Sequence, residues 1–157
     1  MKILLAVDGS PCSDAAVEEI VRRPWPNGSS VKVLNAFELP IAGTPEGWVL
    51  PPTYFEEVDQ AVKKQAQSIV ERALEQLQKK QNGTITIDGQ SLAGPPRAVI
   101  LEEAERWGAD LIVLGSHGYS RWERLLLGSV SQSVVSHAKC SVEVVRCANA
   151  GQVEKAA

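Results

Sequence analysis

Short continuous runs of apolar residues recur along the chain, separated by longer segments with helical spacing. Residues 3–7 read IleLeuLeuAlaVal and residues 111–114 read LeuIleValLeu, and the segments 31–37 and 142–145 are mostly apolar. Uninterrupted apolar runs of this length are typical of strands that are covered on both faces. Residues 84–92 instead alternate β-branched and polar residues, which predicts a more exposed third strand.

Segments with helical periodicity lie between the predicted strands. The longest is predicted from residue 53 to about residue 80, where apolar residues recur every three or four positions opposite a charged face. A shorter helix follows the first strand and can be capped by Ser10 or Ser13. Two further helices are predicted, one at about 96–108 with its final glycine suited to a C-cap, and one at 129–138.

Strands and helices therefore alternate in the order β-α-β-α-β-α-β-α-β. This alternation is typical of an α/β fold in which a five-stranded parallel sheet carries helices on both faces. Ligands of such sheets bind beyond the carboxyl ends of the strands, at the switch point of the topology. Here those ends carry Asp8, Ala36 and the residues from Gly115 onward. Residues 38–52, which contain four prolines, are predicted to form an irregular loop.

The segment after the fourth predicted strand is rich in glycine and leads into a helix. It reads GlySerHisGly at 115–118, then nine residues, then GlySer at 128–129. A helix start presents unpaired amides and a partial positive charge, which suit a phosphate. We expect the three glycines to take left-handed conformations and to let the backbone approach an anion. The hydroxyls of Ser129 and Ser131 add donors.

A simpler interpretation is that the first glycine ends a strand and the last pair caps a helix. The strand before the segment and the helix after it favour anion binding instead. The chain contains neither GxxxxGK[ST] nor GxGxxG. This disfavours a P-loop nucleotidase and a Rossmann dehydrogenase.

Composition narrows the class of protein further. The 157 residues suit one domain, and the net charge of -3 without a basic stripe disfavours nucleic acid as a partner. No apolar stretch approaches the roughly 18 residues of a membrane span, and no signal peptide precedes the first strand, so we expect a cytoplasmic protein. The three cysteines, an odd number without CxxC spacing, are expected to be free thiols in a reducing compartment.

Several segments resemble the universal stress protein family. The spacing Gly-x2-Gly-x9-Gly-Ser is similar to the nucleotide loop of its ATP-binding branch, and residues 3–10, 109–118 and 125–131 are similar to its hallmark segments. The resemblance covers nearly the whole chain. It implies a Rossmann-like fold of the adenine nucleotide alpha-hydrolase type, with strand order 3-2-1-4-5. It also implies one nucleotide-binding domain over residues 1–147, followed by a frayed tail at 148–157.

The resemblance also implies a ligand: ATP, or ADP or AMP, with Mg²⁺ or Mn²⁺ neutralising the phosphates. Asp8 is expected near the ribose or adenine, and Ala36 is expected to bond adenine through its backbone. The remaining implied site residues are expected to hold the phosphates: Gly115, Gly118, Gly128, Ser129 and Ser131. Family members pair their last strand across a dimer. Together with the apolar edge at Val142 and Val144, this predicts a homodimer.

The function implied by the resemblance is that of a regulatory nucleotide-binding module in a stress response. A slow ATPase or autophosphorylating phosphotransferase stays open, with Asp8 and His117 as candidate groups. A phospho-acceptor receiver domain shares the layout but requires a cluster of acids where the first strand ends, and only Asp8 is present there. The chain departs from the family pattern at Asn35, where many members have histidine, and at Ser141, where many have proline.

Overall fold

Five parallel strands form a single sheet in the computed structural model, which describes residues 1–39, 52–80, 85–118 and 127–147. The strands are β1 (Lys2–Ala6), β2 (Ser30–Phe37), β3 (Thr86–Ala93), β4 (Leu111–Gly115) and β5 (Ser141–Val145). Their spatial order is β3-β2-β1-β4-β5, and all four pairings are parallel. This confirms the predicted α/β class and strand order. Each strand begins or ends within about two residues of its prediction.

Four helices cover the two faces of the sheet: α1 (Pro11–Arg22), α2 (Pro52–Lys80), α3 (Pro96–Trp107) and α4 (Ser129–His137). Alternate residues of β1 point to opposite faces. Ile3 and Leu5 are fully buried in the core formed with α1 and α2. Leu4 is fully buried in the core formed with α3 and α4. The uninterrupted apolar sequence of β1 follows from this double burial.

The ends of two helices follow the predicted capping chemistry. Ser10 is the N-cap of α1, and its side chain accepts a hydrogen bond from the Ser13 amide. Gly108 ends α3 in the left-handed region, at φ 69° and ψ 50°. The predicted loop at 38–52 lies largely outside the described residues, as does the centre of the glycine-rich segment, at 119–126.

A buried ion pair fastens α3 to β2. Lys32 Nζ lies 3.0 Å from a carboxylate oxygen of Glu103, whose side chain is 1% exposed. Arg106 donates to the other carboxylate oxygen. Burial by itself raises the pKa of Glu103. The hydrogen bonds from Lys32 and Arg106 outweigh burial and hold that pKa below its ordinary value.

Two of the three cysteines are joined, which shows that the expectation of three free thiols was wrong. A disulfide links Cys12, in the first turn of α1, to Cys147, two residues beyond β5. Cys140 is free. The odd count and the absence of CxxC spacing pointed away from a disulfide. The two cysteines are 135 positions apart, and only the fold brings them together.

Among the helices that the structure describes, none combines the length and the apolar character needed to cross a lipid bilayer.

Candidate functional site

A cavity opens at the carboxyl ends of β1, β2 and β4. At this point the chain stops adding strands on one side of β1 and begins adding them on the other. Its volume of about 180 Å³ is more than ten times the space one water molecule requires. All seven predicted site residues line it: Asp8, Ala36, Gly115, Gly118, Gly128, Ser129 and Ser131. The structure therefore brings together residues that are up to 123 positions apart in the sequence.

Asp8 is held at the mouth of the cavity by the turn between β1 and α1. Its Oδ1 atom accepts a hydrogen bond from the Ser10 amide at 2.9 Å. Its own amide donates to Ser13 Oγ at 3.2 Å. Oδ2 lies on the side of Gly118, 2.7 Å from the position a Cβ atom there would occupy. The carboxylate is thus fixed beside the glycine-rich segment.

The glycines of this segment are needed for close approach, not for handedness. Among the described residues the glycines with positive φ are Gly9, Gly28, Gly94 and Gly108. The left-handed conformations expected at 115, 118 and 128 are therefore wrong. A Cβ at 115 would lie 2.7 Å from the backbone carbon of residue 12, and one at 128 would lie 3.3 Å from the carbonyl oxygen of residue 116.

The start of α4 supplies the amides that the sequence predicted for an anion. Gly128 is its N-cap, with φ -60° and ψ 157°, and no side chain caps the helix. The amides of the first turn and the positive end of the helix dipole are therefore left for a ligand. Ser129, the first helical residue, is exposed and lines the cavity.

Ser131 has a structural role that the sequence analysis did not anticipate. Its side chain is buried, and Oγ donates to the carbonyl oxygens of Ser116 and Gly128, each at 2.9 Å. The Gly128 amide also donates to the Ser116 carbonyl at 2.8 Å. These bonds clamp the two described ends of the glycine-rich segment to each other. In this arrangement the Ser131 hydroxyl fixes the shape of the cavity.

The opposite wall of the cavity is apolar. Leu34 and Ala36, which lie on the same face of β2, line this part together with Pro96, Ile100 and Leu114. The cavity therefore has a polar end beside Asp8 and α4 and an apolar end between β2 and α3. An amphipathic ligand with an anionic group at one end matches this distribution of polarity.

Several residues that shape the site belong to no motif in the sequence. The apolar wall from α3 was missed because its residues read simply as core positions of a helix. Asn35 was noted only as a departure from the family pattern. It is 3% exposed, and its Nδ2 donates to the Val7 carbonyl at 2.7 Å, which ties β2 to the residue before Asp8.

His117 lines the cavity, and its hydrogen bonds are with Ser116 and Ser10. Its Nδ1 is 3.2 Å from Ser116 Oγ, and its carbonyl oxygen accepts from Ser10 Oγ at 3.3 Å. Arg121 and Arg124, the other charged residues considered for this segment, lie outside the described residues. Within the described parts of the chain, no three His, Cys, Asp or Glu side chains gather as a metal site.

Comparison with known sequences gives matches along nearly the whole chain. Residues 1–146 match the model of the Universal stress protein family. The universal stress protein YxiE of Bacillus subtilis is 33% identical over 150 residues. That alignment covers 92% of this chain and 98% of YxiE.

Solved structures with the same architecture include universal stress proteins from other organisms. UspA of Lactobacillus plantarum is 25% identical with a TM-score of 0.70, and the match covers 93% of this chain and 97% of UspA. A family protein of Arabidopsis thaliana with AMP bound is 19% identical with a TM-score of 0.68, covering 95% and 93%. A universal stress protein in complex with cAMP is 20% identical with a TM-score of 0.65, covering 94% and 98%. At identities of 19% and 20% the last two show the shared fold.

Proposed function

Since the chain belongs to the universal stress protein family, we propose that it is a regulatory protein that binds ATP in the cavity beyond β1, β2 and β4. The observation that carries the proposal is that one cavity is lined by the start of α4, which no side chain caps, by the Asp8 carboxylate and by three glycines. AMP and cAMP in two proteins of the same fold support an adenine nucleotide as the ligand class.

The polarity of the cavity sets the direction in which a nucleotide would lie. The adenine would occupy the apolar end, against Ile100 and Leu114, with the backbone of Ala36 within reach of its edge. The phosphates would lie at the start of α4, where Gly128 and Ser129 present amides and a hydroxyl. Glycine at 115 lets β4 lie close against the start of α1, and glycine at 118 leaves room for the Asp8 carboxylate.

We propose that a divalent cation accompanies the triphosphate. Mg²⁺ in such sites is held by substrate phosphates, water and one or two carboxylates, so a cluster of three acidic groups is not required. Asp8 is the carboxylate in the described cavity lining and is expected near the ribose or adenine, so phosphate oxygens and water would supply the ligands of the cation. The described residues fit binding better than rapid hydrolysis, because a placed base and several charge-stabilising groups would be needed for turnover.

We further propose that the protein is a homodimer joined along β5, the edge strand of the sheet. The Ser116 amide donates to the Val145 carbonyl, so Val145 directs its backbone groups toward β4. Successive residues alternate direction, so the backbone groups of Val144 face the free edge. An unpaired edge of this kind is a template for a second copy of the strand.

The remaining parts of the proposal follow from composition and length. We propose that residues 1–147 form one nucleotide-binding domain and that 148–157 lie outside it. We also propose a cytoplasmic location, in keeping with membership of the universal stress protein family.

Calorimetric titration of the purified chain with ATP, in the presence of Mg²⁺, tests the binding site directly. Saturable binding below millimolar concentration is expected. The variants G118V and G128V are each expected to weaken it at least about tenfold, because a side chain at 118 would displace Asp8 and one at 128 would press on the backbone of residues 116 and 117 that shapes the cavity. A61V is the control, since it adds a valine side chain at an exposed position of α2 outside the cavity, where the backbone is helical.

Three results would overturn parts of the proposal. If ATP does not bind at millimolar concentration, the chain does not have the proposed function. If both cavity variants bind ATP as tightly as A61V does, the site lies elsewhere. Steady multiple-turnover phosphate release that D8A abolishes would show an enzyme instead of a regulatory binding protein.

A further inference from the structure

We propose that the Cys12–Cys147 disulfide is a reversible redox switch that regulates the nucleotide cavity. The inference rests on the proposed function and adds a form of regulation to it. Disulfides in cytosolic proteins are usually transient and redox-sensing, because glutathione and thioredoxin keep most thiols reduced. A disulfide in a chain proposed to be cytoplasmic therefore calls for a reversible role.

The position of the disulfide connects it to the glycine-rich segment. Cys12 lies in the first turn of α1 and is close to Gly115. A Cβ atom added to Gly115 would lie 2.7 Å from the carbonyl carbon of Cys12. Cys147 follows the strand whose last residue, Val145, accepts from the Ser116 amide at 2.8 Å. The disulfide therefore holds the end of β5 against the wall of the cavity.

Ser116 is the residue through which the disulfide reaches the cavity. Its hydroxyl donates to Cys12 Sγ at 3.8 Å. Its carbonyl oxygen accepts from the Gly128 amide and from Ser131 Oγ. One residue thus contacts the disulfide, the end of β5 and the start of α4. Release of Cys147 would loosen the position of Ser116 and, with it, the N-cap of α4.

The exposure of the two sulfurs sets the order of the chemical steps. Cys12 is 5% exposed, whereas Cys147 is partly exposed. The thiolate of a small thiol such as glutathione attacks the Cys147 sulfur, and the S–S electron pair leaves on Cys12 Sγ, which then takes up a proton. The start of α1 and the Ser116 hydroxyl stabilise this leaving thiolate.

A second thiol completes the exchange. It attacks the glutathione sulfur of the mixed disulfide and frees Cys147 as a thiol. One protein disulfide and two small thiols thus become two protein thiols and one small disulfide, and oxidised glutathione drives the reverse reaction. No other oxidant or reductant is needed.

The oxidised form is expected to bind ATP more tightly, because the disulfide fixes the cavity wall before the ligand arrives. The full chain is equilibrated in reduced or in oxidised glutathione, and its free thiols are counted. Three free thiols are expected in the reduced form and one in the oxidised form. Titration with ATP and Mg²⁺ should then show affinity at least about fivefold lower in the reduced form. Hydrogen exchange of the Ser116 and Gly128 amides, measured without nucleotide, should be faster in the reduced form.

Cysteine variants provide the controls. C12S and C147S should each have the affinity of the reduced protein and lose the response to glutathione. C140S should keep the response, because Cys140 is outside the disulfide. Equal affinity and equal amide exchange in the two forms would overturn the switch while leaving the proposed function intact. Absence of ATP binding in both forms would overturn the proposed function, and the exchange measurement would still decide whether the disulfide controls Ser116.

Discussion

At the scale of single residues, the site depends on glycines that occupy different surroundings. At Gly115 an added Cβ would meet backbone atoms of residues 12 and 13 at 2.7–2.9 Å. At Gly118 it would meet the end of the Asp8 side chain. Backbone cannot move without separating α1 from β4, whereas a carboxylate can rotate. Two glycines of one motif therefore serve different purposes, one in the fold and one in the site.

We expect G115A to destabilise the fold and G118A to leave it nearly unchanged. Overpacking of this kind costs about 1–3 kcal/mol of unfolding free energy, which is the change expected for G115A. G118A should change that free energy by less than about 0.5 kcal/mol but displace Asp8. Urea denaturation measures the first effect, and ATP titration measures the second. Equal destabilisation by both variants would contradict this distinction.

A second residue-scale prediction concerns the buried carboxylate of Glu103. Its folded-state pKa is lowered, so its contribution to stability is present above the ordinary glutamate pKa of about 4.3 and is lost as pH falls through the folded value. E103Q should lower the unfolding free energy at pH 7 by on the order of 3 kcal/mol, because it leaves Lys32 without its charged partner.

The pH dependence of the unfolding free energy separates the effect of the Glu103 charge from the effect of its packing. When the pH is lowered from 7 to below 4, the unfolding free energy of the wild-type protein should fall by more than that of E103Q. Urea denaturation at the two pH values measures both changes. E105Q is a suitable control, since Glu105 forms an exposed ion pair with Lys139 and should behave like the wild type. Parallel pH profiles for the wild-type protein and E103Q would show that the charge of Glu103 does not stabilise the fold.

At the scale of elements, the strands and helices were predictable because burial leaves a periodic pattern. β1 and β4 are covered on both faces and read as continuous apolar runs, and the caps at Ser10 and Gly108 follow local chemistry. That the seven predicted residues line one cavity also follows from features visible in the sequence, namely the strand ends and the segments that resemble the family. The glycine conformations and the bonds of Ser131 were not, because they depend on distances between elements that no local pattern encodes.

The edge strand carries the element-scale prediction. V144P removes an amide that faces the free edge and leaves the bonds of Val145 to β4 in place, so the proposed dimer should dissociate without unfolding. V144A keeps the amide and should remain dimeric. Sedimentation equilibrium should give 16.9 kDa for V144P and twice that mass for V144A and the wild type. A dimeric V144P would place the interface away from the backbone edge of β5.

At the scale of the whole molecule, the parallel order of the strands gathers the site from distant parts of the chain. β1, β2 and β4 bring their carboxyl ends to one edge, and α4 begins beside them. The alternation of elements predicted this convergence correctly. The link between Cys12 and Cys147 could not be predicted in the same way, because it joins segments that share no motif and meet only in the finished fold.

That link also turns most of the chain into a covalent ring, which changes how the molecule responds to force. The two cysteines are 135 residues apart, and at about 3.5 Å per extended residue the ring withholds about 470 Å of chain from a pull on the termini. Optical-trap stretching should therefore give an unfolded contour length shorter by about that amount under oxidising conditions than under reducing ones. A processive unfoldase that pulls from the C-terminus would have to admit three segments of chain side by side at the cross-link, the two arms of the ring and the segment that precedes Cys12, so oxidation should slow threading into a narrow pore.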